Sequence, residues 1–200
     1  MKIPIEFYFD FSSPYGYFAS QKIEAVAARH GREVLWKAFL LGVAFKATGG
    51  APLPSIPMKG SYSVRDMLRS ARYLEVEYRH PGKFPISTVA PARAFYWAQS
   101  LDVRRAKELA SALYRAYFVD GVDISEAENT LSVCASCGFE REAARAGMGA
   151  QAVKDRLRTE VEQGLAKGVF GSPFFIVDGE PFWGSDRLDQ LDRWLATGGW

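Results

Sequence analysis

The sequence predicts an α/β fold in which a βαβ unit and a ββα unit share one core, interrupted by a long all-helical insertion. Three observations predict it. Residues 3–39 read as strand, helix, strand. Residues 61–167 carry apolar stripes at helical spacing, and residues 174–195 read as a tight hairpin followed by a helix. The expected organisation is therefore a discontinuous domain, 1–60 with 168–200, holding a helical insertion at 61–167.

Residues 3–11 are rich in β-branched and aromatic side chains, as a buried strand requires. Phe11-Ser12-Ser13-Pro14 follows. Serine before proline is a helix start, because the hydroxyl can cap and proline lacks only an N–H that the first turn leaves unpaired. The helix is predicted over 14–29, with Phe18, Ala19, Ile23, Val26 and Ala27 inward and Gly31 ending it. Residues 33–39 make a second strand, parallel to the first. Three glycines and three prolines between Gly42 and Pro57 predict a long loop over 42–60, and such loops usually carry a function.

The insertion shows three stripes. Val64, Met67, Leu68, Ala71 and Leu74 form one, Leu109, Leu113 and Tyr117 a second, and Val153, Leu157, Val161 and Leu165 a third. Gly171-Ser172-Pro173 is a turn signal, Phe174-Phe175-Ile176-Val177 a short apolar strand, and Asp178-Gly179 a hairpin turn into Pro181-Phe182-Trp183. The last helix is expected to start near Ser185-Asp186, with Leu188, Leu191, Trp194 and Leu195 inside.

Composition narrows the function classes. The apolar fraction of 48% and aromatic fraction of 14% are globular. A net charge of +2 with no basic stripe gives no support for a nucleic-acid partner, and the arginines at 65–79 alternate with Asp66, Glu75 and Glu77 as on a solvated helix face. No apolar run approaches the roughly 18 residues that span a membrane. The first ten residues carry charges where a signal peptide needs an apolar core, so a cytoplasmic protein is expected. Cys134 and Cys137 have redox spacing but fall inside the helical insertion. A structural zinc takes about four ligands, and neither His30 nor His80 has a partner at metal spacing, so no metal site is expected.

Three segments can carry chemistry. Ser13 stands where a strand gives way to a helix, where free N–H groups favour an anion; on spacing alone it reads first as an N-cap. Gly171-Ser172-Pro173 reads first as a turn. Ser185 or Asp186 can cap the last helix, or hold the ammonium and carboxylate of an amino-acid-like ligand.

Taken in order, Phe7-Tyr8-Phe9-Asp10-Phe11-Ser12-Ser13-Pro14-Tyr15, the Gly-x-Pro at 171–173 and Trp183-Gly184-Ser185-Asp186-Arg187-Leu188 resemble the 2-hydroxychromene-2-carboxylate isomerases, relatives of the kappa-class glutathione transferases and of DsbA. Pro57-Met58-Lys59-Gly60 extends the resemblance into the long loop. It implies a thioredoxin-like, DsbA-like fold, glutathione as the cofactor, a small aromatic acid as substrate, and a homodimer. DsbA-like oxidoreductases start this helix at Cys-Pro-His-Cys, whereas Ser13-Pro14-Tyr15-Gly16 stands here. Disulfide exchange needs an attacking thiolate, so the thiol must come from outside.

The resemblance implies that Ser13 stabilises the glutathione thiolate, that Pro173 is cis, and that the Ser172 backbone pairs with the cysteinyl part. It further implies that Ser185 and Asp186 bind the γ-glutamyl end and that Lys59 lies near the glycyl carboxylate. Gly50 stands where kappa-class members can carry an asparagine that touches glutathione. The implied reaction is thiolate addition to a conjugated carbon, bond rotation, and elimination. Lys59, then Arg93, are the cations nearest to hand for a substrate carboxylate. The alternatives are a kappa-like transferase, whose product retains glutathione, and a binding module without turnover.

Overall fold

The computed structural model describes residues 2–200. Four strands, β1 (Ile5–Phe9), β2 (Val34–Ala38), β3 (Phe174–Val177) and β4 (Glu180–Trp183), form one sheet in the order β2-β1-β3-β4. β1 runs parallel to β2, with Phe7 opposite Trp36, and antiparallel to β3, with Phe7 opposite Phe175. Its central place explains its near-continuous apolar sequence: Ile5, Phe7, Tyr8 and Phe9 are all buried, because helices cover both faces. β2 and β4 are the edge strands, and Pro181 suits β4 because an edge residue can spare its N–H.

The expected helix over 14–29 is two helices, α1 (Pro14–Ser20) and α2 (Ile23–Arg29). The Ser20 hydroxyl donates to the Tyr17 carbonyl at 2.7 Å, and the Lys22 N–H reaches Ala19 O, three residues back, at 3.0 Å. Both bonds tighten the chain and break the α register there. The five residues expected inward are buried all the same.

The expected loop over 42–60 also needs correction. Leu41–Thr48 is a helix, α3, closed by Gly49 in the left-handed conformation at φ 71°, and Leu53–Ser55 is a turn of 3₁₀ helix. Lys59 is not in a loop but opens α4 (Lys59–Tyr73). After the irregular stretch 74–88 come α5 (Val89–Leu101), α6 (Val103–Phe118), α7 (Ala127–Ser136), α8 (Arg141–Gly149) and α9 (Gln151–Ala166). The hairpin β3–β4 leads through a 3₁₀ turn (Ser185–Arg187) into α10 (Leu188–Thr197).

The insertion packs on the sheet through aromatic rings. Phe9 lies 5.3 Å from Phe95 of α5 and 5.9 Å from Tyr114 of α6, centroid to centroid. On the other face α9 passes close enough that a side chain at Gly164 would meet Phe39 at 2.9 Å. No helix among the described residues is long and apolar enough to cross a membrane.

Candidate active site

Ser13 is the N-cap of α1, with extended dihedrals and a hydroxyl oxygen that accepts the Gly16 N–H at 3.0 Å. The same hydroxyl donates to the Ser172 carbonyl at 2.7 Å, across 159 residues of sequence. Ser13 is therefore a cap and also the point where α1 meets the loop before β3. The Ser172–Pro173 peptide bond in that loop is cis. The Ser172 hydroxyl in turn accepts the Asp10 N–H at 2.9 Å, so the two segments are stitched twice. Gly16 permits this approach: a Cβ there would lie 2.7 Å from Ser172 Oγ and 2.8 Å from Tyr114 Oη.

Around this pair the fold distributes the other expected residues. Ser185 and Asp186 lie on the 3₁₀ turn, which packs against α1. Neither caps a helix: Gly184 occupies the N-cap position at φ 114°, and no side chain bonds the turn. The Asp186 side chain is 71% exposed, with the Arg187 guanidinium 3.5 Å away. Lys59 is exposed at the start of α4, which is tied to α1 by the Tyr15 hydroxyl donating to Asp66 at 2.6 Å. Arg93 lies in the second turn of α5, half-buried, and its Nε has no hydrogen-bond partner. Ser13 and Ser172 are thus hydrogen-bonded, with Pro173 next in the chain, whereas Lys59 and Arg93 lie on other elements and make no hydrogen bond to Ser13.

Sequence reading missed the residue at the centre of the site. Asp10, 3% exposed, follows β1. Its carboxylate accepts the N–H of Ser12 at 2.7 Å, the N–H of Leu41 at 2.8 Å and the hydroxyl of Thr88 at 3.0 Å. Its carbonyl accepts the Ser13 N–H at 2.9 Å and the Tyr114 hydroxyl at 3.0 Å. Burial pushes the carboxyl up to about 6, against the three donors, which hold it down. One signal was available: an acidic residue inside the apolar run Phe7–Phe11 has to be paired or functional. Ser12 was also missed; its hydroxyl accepts the Ile86 N–H at 3.1 Å and fixes stretch 74–88, with its cis Phe84–Pro85 bond, beside α1.

The two cysteines stand apart from this site. Cys134 is buried in α7, where burial pushes its thiol up to about 12, and Cys137 ends the same helix. No other sulfur nucleophile is at hand, because position 13 is serine and position 16 glycine.

A profile of the DsbA-like thioredoxin domain matches residues 4–196. The chain belongs to the DsbA-like thioredoxin family. Within it, a 2-hydroxychromene-2-carboxylate isomerase of Sphingobium xenophagum is 30% identical over 96% of this chain and 97% of its own length. Glutathione S-transferase kappa 2 of Caenorhabditis elegans is 27% identical, covering 96% of this chain and 91% of its own. A solved structure of a 2-hydroxychromene-2-carboxylate isomerase superposes with a TM-score of 0.84 at 23% identity, over 97% of this chain and 95% of that one. This DsbA-like chain therefore sits with the isomerases and kappa-class transferases, and it carries serine and glycine at the start of α1.

Proposed function

We propose that the chain is a glutathione-dependent isomerase of a small aromatic hydroxy or keto acid, of the 2-hydroxychromene-2-carboxylate type. The observation that carries this reading is the Ser13 hydroxyl, held against the cis-proline loop at the start of α1 in a chain with no cysteine there. The available donor set suits glutathione: a hydroxyl for the thiol, the exposed Asp186 carboxylate for an ammonium, and the Lys59 ammonium for a carboxylate. Bound glutathione would supply a thiolate that adds to a conjugated carbon of the substrate and leaves again after the bond has rotated.

The chain's own residues have separate tasks. The Gly16 N–H anchors the Ser13 oxygen, so the hydroxyl hydrogen alone has to move. Turning it from the Ser172 carbonyl to a sulfur anion exchanges a neutral hydrogen bond for a charge-assisted one, about twice as strong. The turn also frees the Ser172 carbonyl to pair with the peptide part of the ligand. Ser185 and Asp186 hold the γ-glutamyl end, and Lys59 the glycyl end. Arg93, a half-buried cation whose Nε is unpaired, is the receptor for the carboxylate of the acid substrate. The reading includes a cytoplasmic homodimer. The kappa-class relative favours a second reading, transfer of glutathione to an electrophile, which a product retaining glutathione would reveal.

Ser13→Ala tests the reading. Losing one hydrogen bond to a charged sulfur weakens the thiolate by about 1.5–3 kcal/mol. The bound thiol should therefore titrate about one to two units higher by its ultraviolet absorbance, with turnover reduced about ten- to two-hundred-fold below the thiol pKa. Raising the pH should restore part of the rate. A variant that binds glutathione with the wild-type titration and rate would reduce Ser13 to a helix cap.

A further inference from the structure

We infer that Asp10 is a positioning residue: its ionised carboxylate clamps together the segments that wall Ser13, so that the grip on glutathione depends on that charge. The inference rests on the glutathione reading above. Six hydrogen bonds converge on Asp10: from Ser12, Leu41 and Thr88 to the carboxylate, from Ser13 and Tyr114 to the carbonyl, and from its own N–H to Ser172 Oγ. They reach the start of α1, the first residue of α3, the N-cap of α5, the face of α6 and the cis-proline loop.

An ordinary turn residue would not need this. The bond from Ser12 N–H to Oδ1 is the usual local one, and a turn asks for nothing more. Oδ2 instead bonds Leu41 and Thr88, 31 and 78 residues away, and so bridges the starts of α3 and α5. The bridge is strongest as a carboxylate. A proton on Oδ2 has to be taken by the Thr88 hydroxyl, which must turn from donating to accepting, and it weakens the charge-assisted bonds from the two backbone N–H groups.

No cation offsets the charge among the described residues. The titratable groups that sense it are Tyr114 and Tyr117 of α6; α1, α3, α5 and the cis-proline loop present backbone N–H or hydroxyl groups only. Burial without a cation places the titration of Asp10 near 6, where modest acidification opens the clamp.

The experiment measures glutathione affinity by calorimetry from pH 5 to 7.5, together with carbon NMR titration of the Asp10 carboxyl, in wild type, Asp10→Asn and Thr88→Val. Wild-type affinity is expected to fall about five-fold from pH 7 to pH 5 as Asp10 takes its proton. Asp10→Asn should lose that acid limb. Thr88→Val, the milder change should the asparagine variant not fold, removes one bond to the charge and should move the limb roughly one unit upward. An acid limb left in place by both substitutions, in proteins with wild-type circular dichroism, overturns the inference.

If wild type binds no glutathione at any pH, the glutathione reading fails, and the NMR arm judges the clamp alone. There the Leu41 amide should follow the Asp10 titration, and both should shift upward in Thr88→Val. A Leu41 amide indifferent to that titration refutes the clamp.

Discussion

The Asp10 carboxyl titrates near 6 in the folded protein and near 3.8 in an unfolded chain, and that difference fixes the sign of its effect on stability. Between those values the folded state binds the proton more tightly than the unfolded one. Stability therefore falls as pH rises from about 4 to about 6, and the ionised carboxylate leaves the neutral-pH fold about 3 kcal/mol less stable than the protonated form would. Asp10→Asn should abolish this slope. Urea midpoints at pH 4 and pH 7 should show the variant gaining about 2 kcal/mol on wild type across that interval, the rest of the effect lying below pH 4. An equal offset at both pH values would mean that the carboxyl titrates normally. A charge kept in the interior against stability is the mark of a site residue. Ser13, Ser172 and Pro173 were legible because each sits in a short ordered motif. Asp10 was not, because two of its carboxylate partners lie 31 and 78 residues away.

The same distinction between local and distant partners governs the elements. The strands and the hairpin were legible from apolar runs and the Asp178-Gly179 turn, and all four formed where expected. α3 was not. It is only two turns long and buries only Ala44, and no side chain of its own caps it; its first N–H is satisfied by Asp10, 31 residues earlier in the chain. Its glycines looked like loop composition, although Gly49 is a helix stop.

Contact between α1 and the cis-proline loop is equally invisible to periodicity, yet it positions Ser13 and depends on Gly16. A methyl group there would meet Ser172 Oγ and Tyr114 Oη inside 3 Å. Neither oxygen is free to retreat, since one holds the Asp10 N–H and the other the Asp10 carbonyl. Gly16→Ala should therefore cost about 1–3 kcal/mol by overpacking, and it should also weaken glutathione binding by pushing the loop off Ser13. Thermal melting and calorimetry test the two parts, and a variant with wild-type melting and affinity would show that the approach is not constrained.

At the scale of the whole molecule, the composition change near residue 60 and the return to β-structure near 170 suggest two units, whereas the packing ties them together. Phe7 meets Trp36 and Phe175 of the sheet at 5.1 and 5.3 Å, while Phe9, two residues on, meets Phe95 and Tyr114 of the insertion. Buried residues from both units belong to one continuous core, with Phe9 at the seam. Aromatic pairs of this kind contribute about 0.5–1.5 kcal/mol each beyond the area they bury, so detaching the insertion would forfeit several at once and remove cover from both faces of the sheet. The two units should therefore unfold together. Native-state hydrogen exchange can read this residue by residue: amides of β1 and of α6 should exchange through one global opening with a common denaturant slope. Phe9→Ala sharpens the test. It should lower stability by about 3–5 kcal/mol and reduce the protection of β1 and α6 equally. If α6 lost protection while β1 kept it, the insertion would be a separate cooperative unit, and Ser13 would stand on a core able to fold without it.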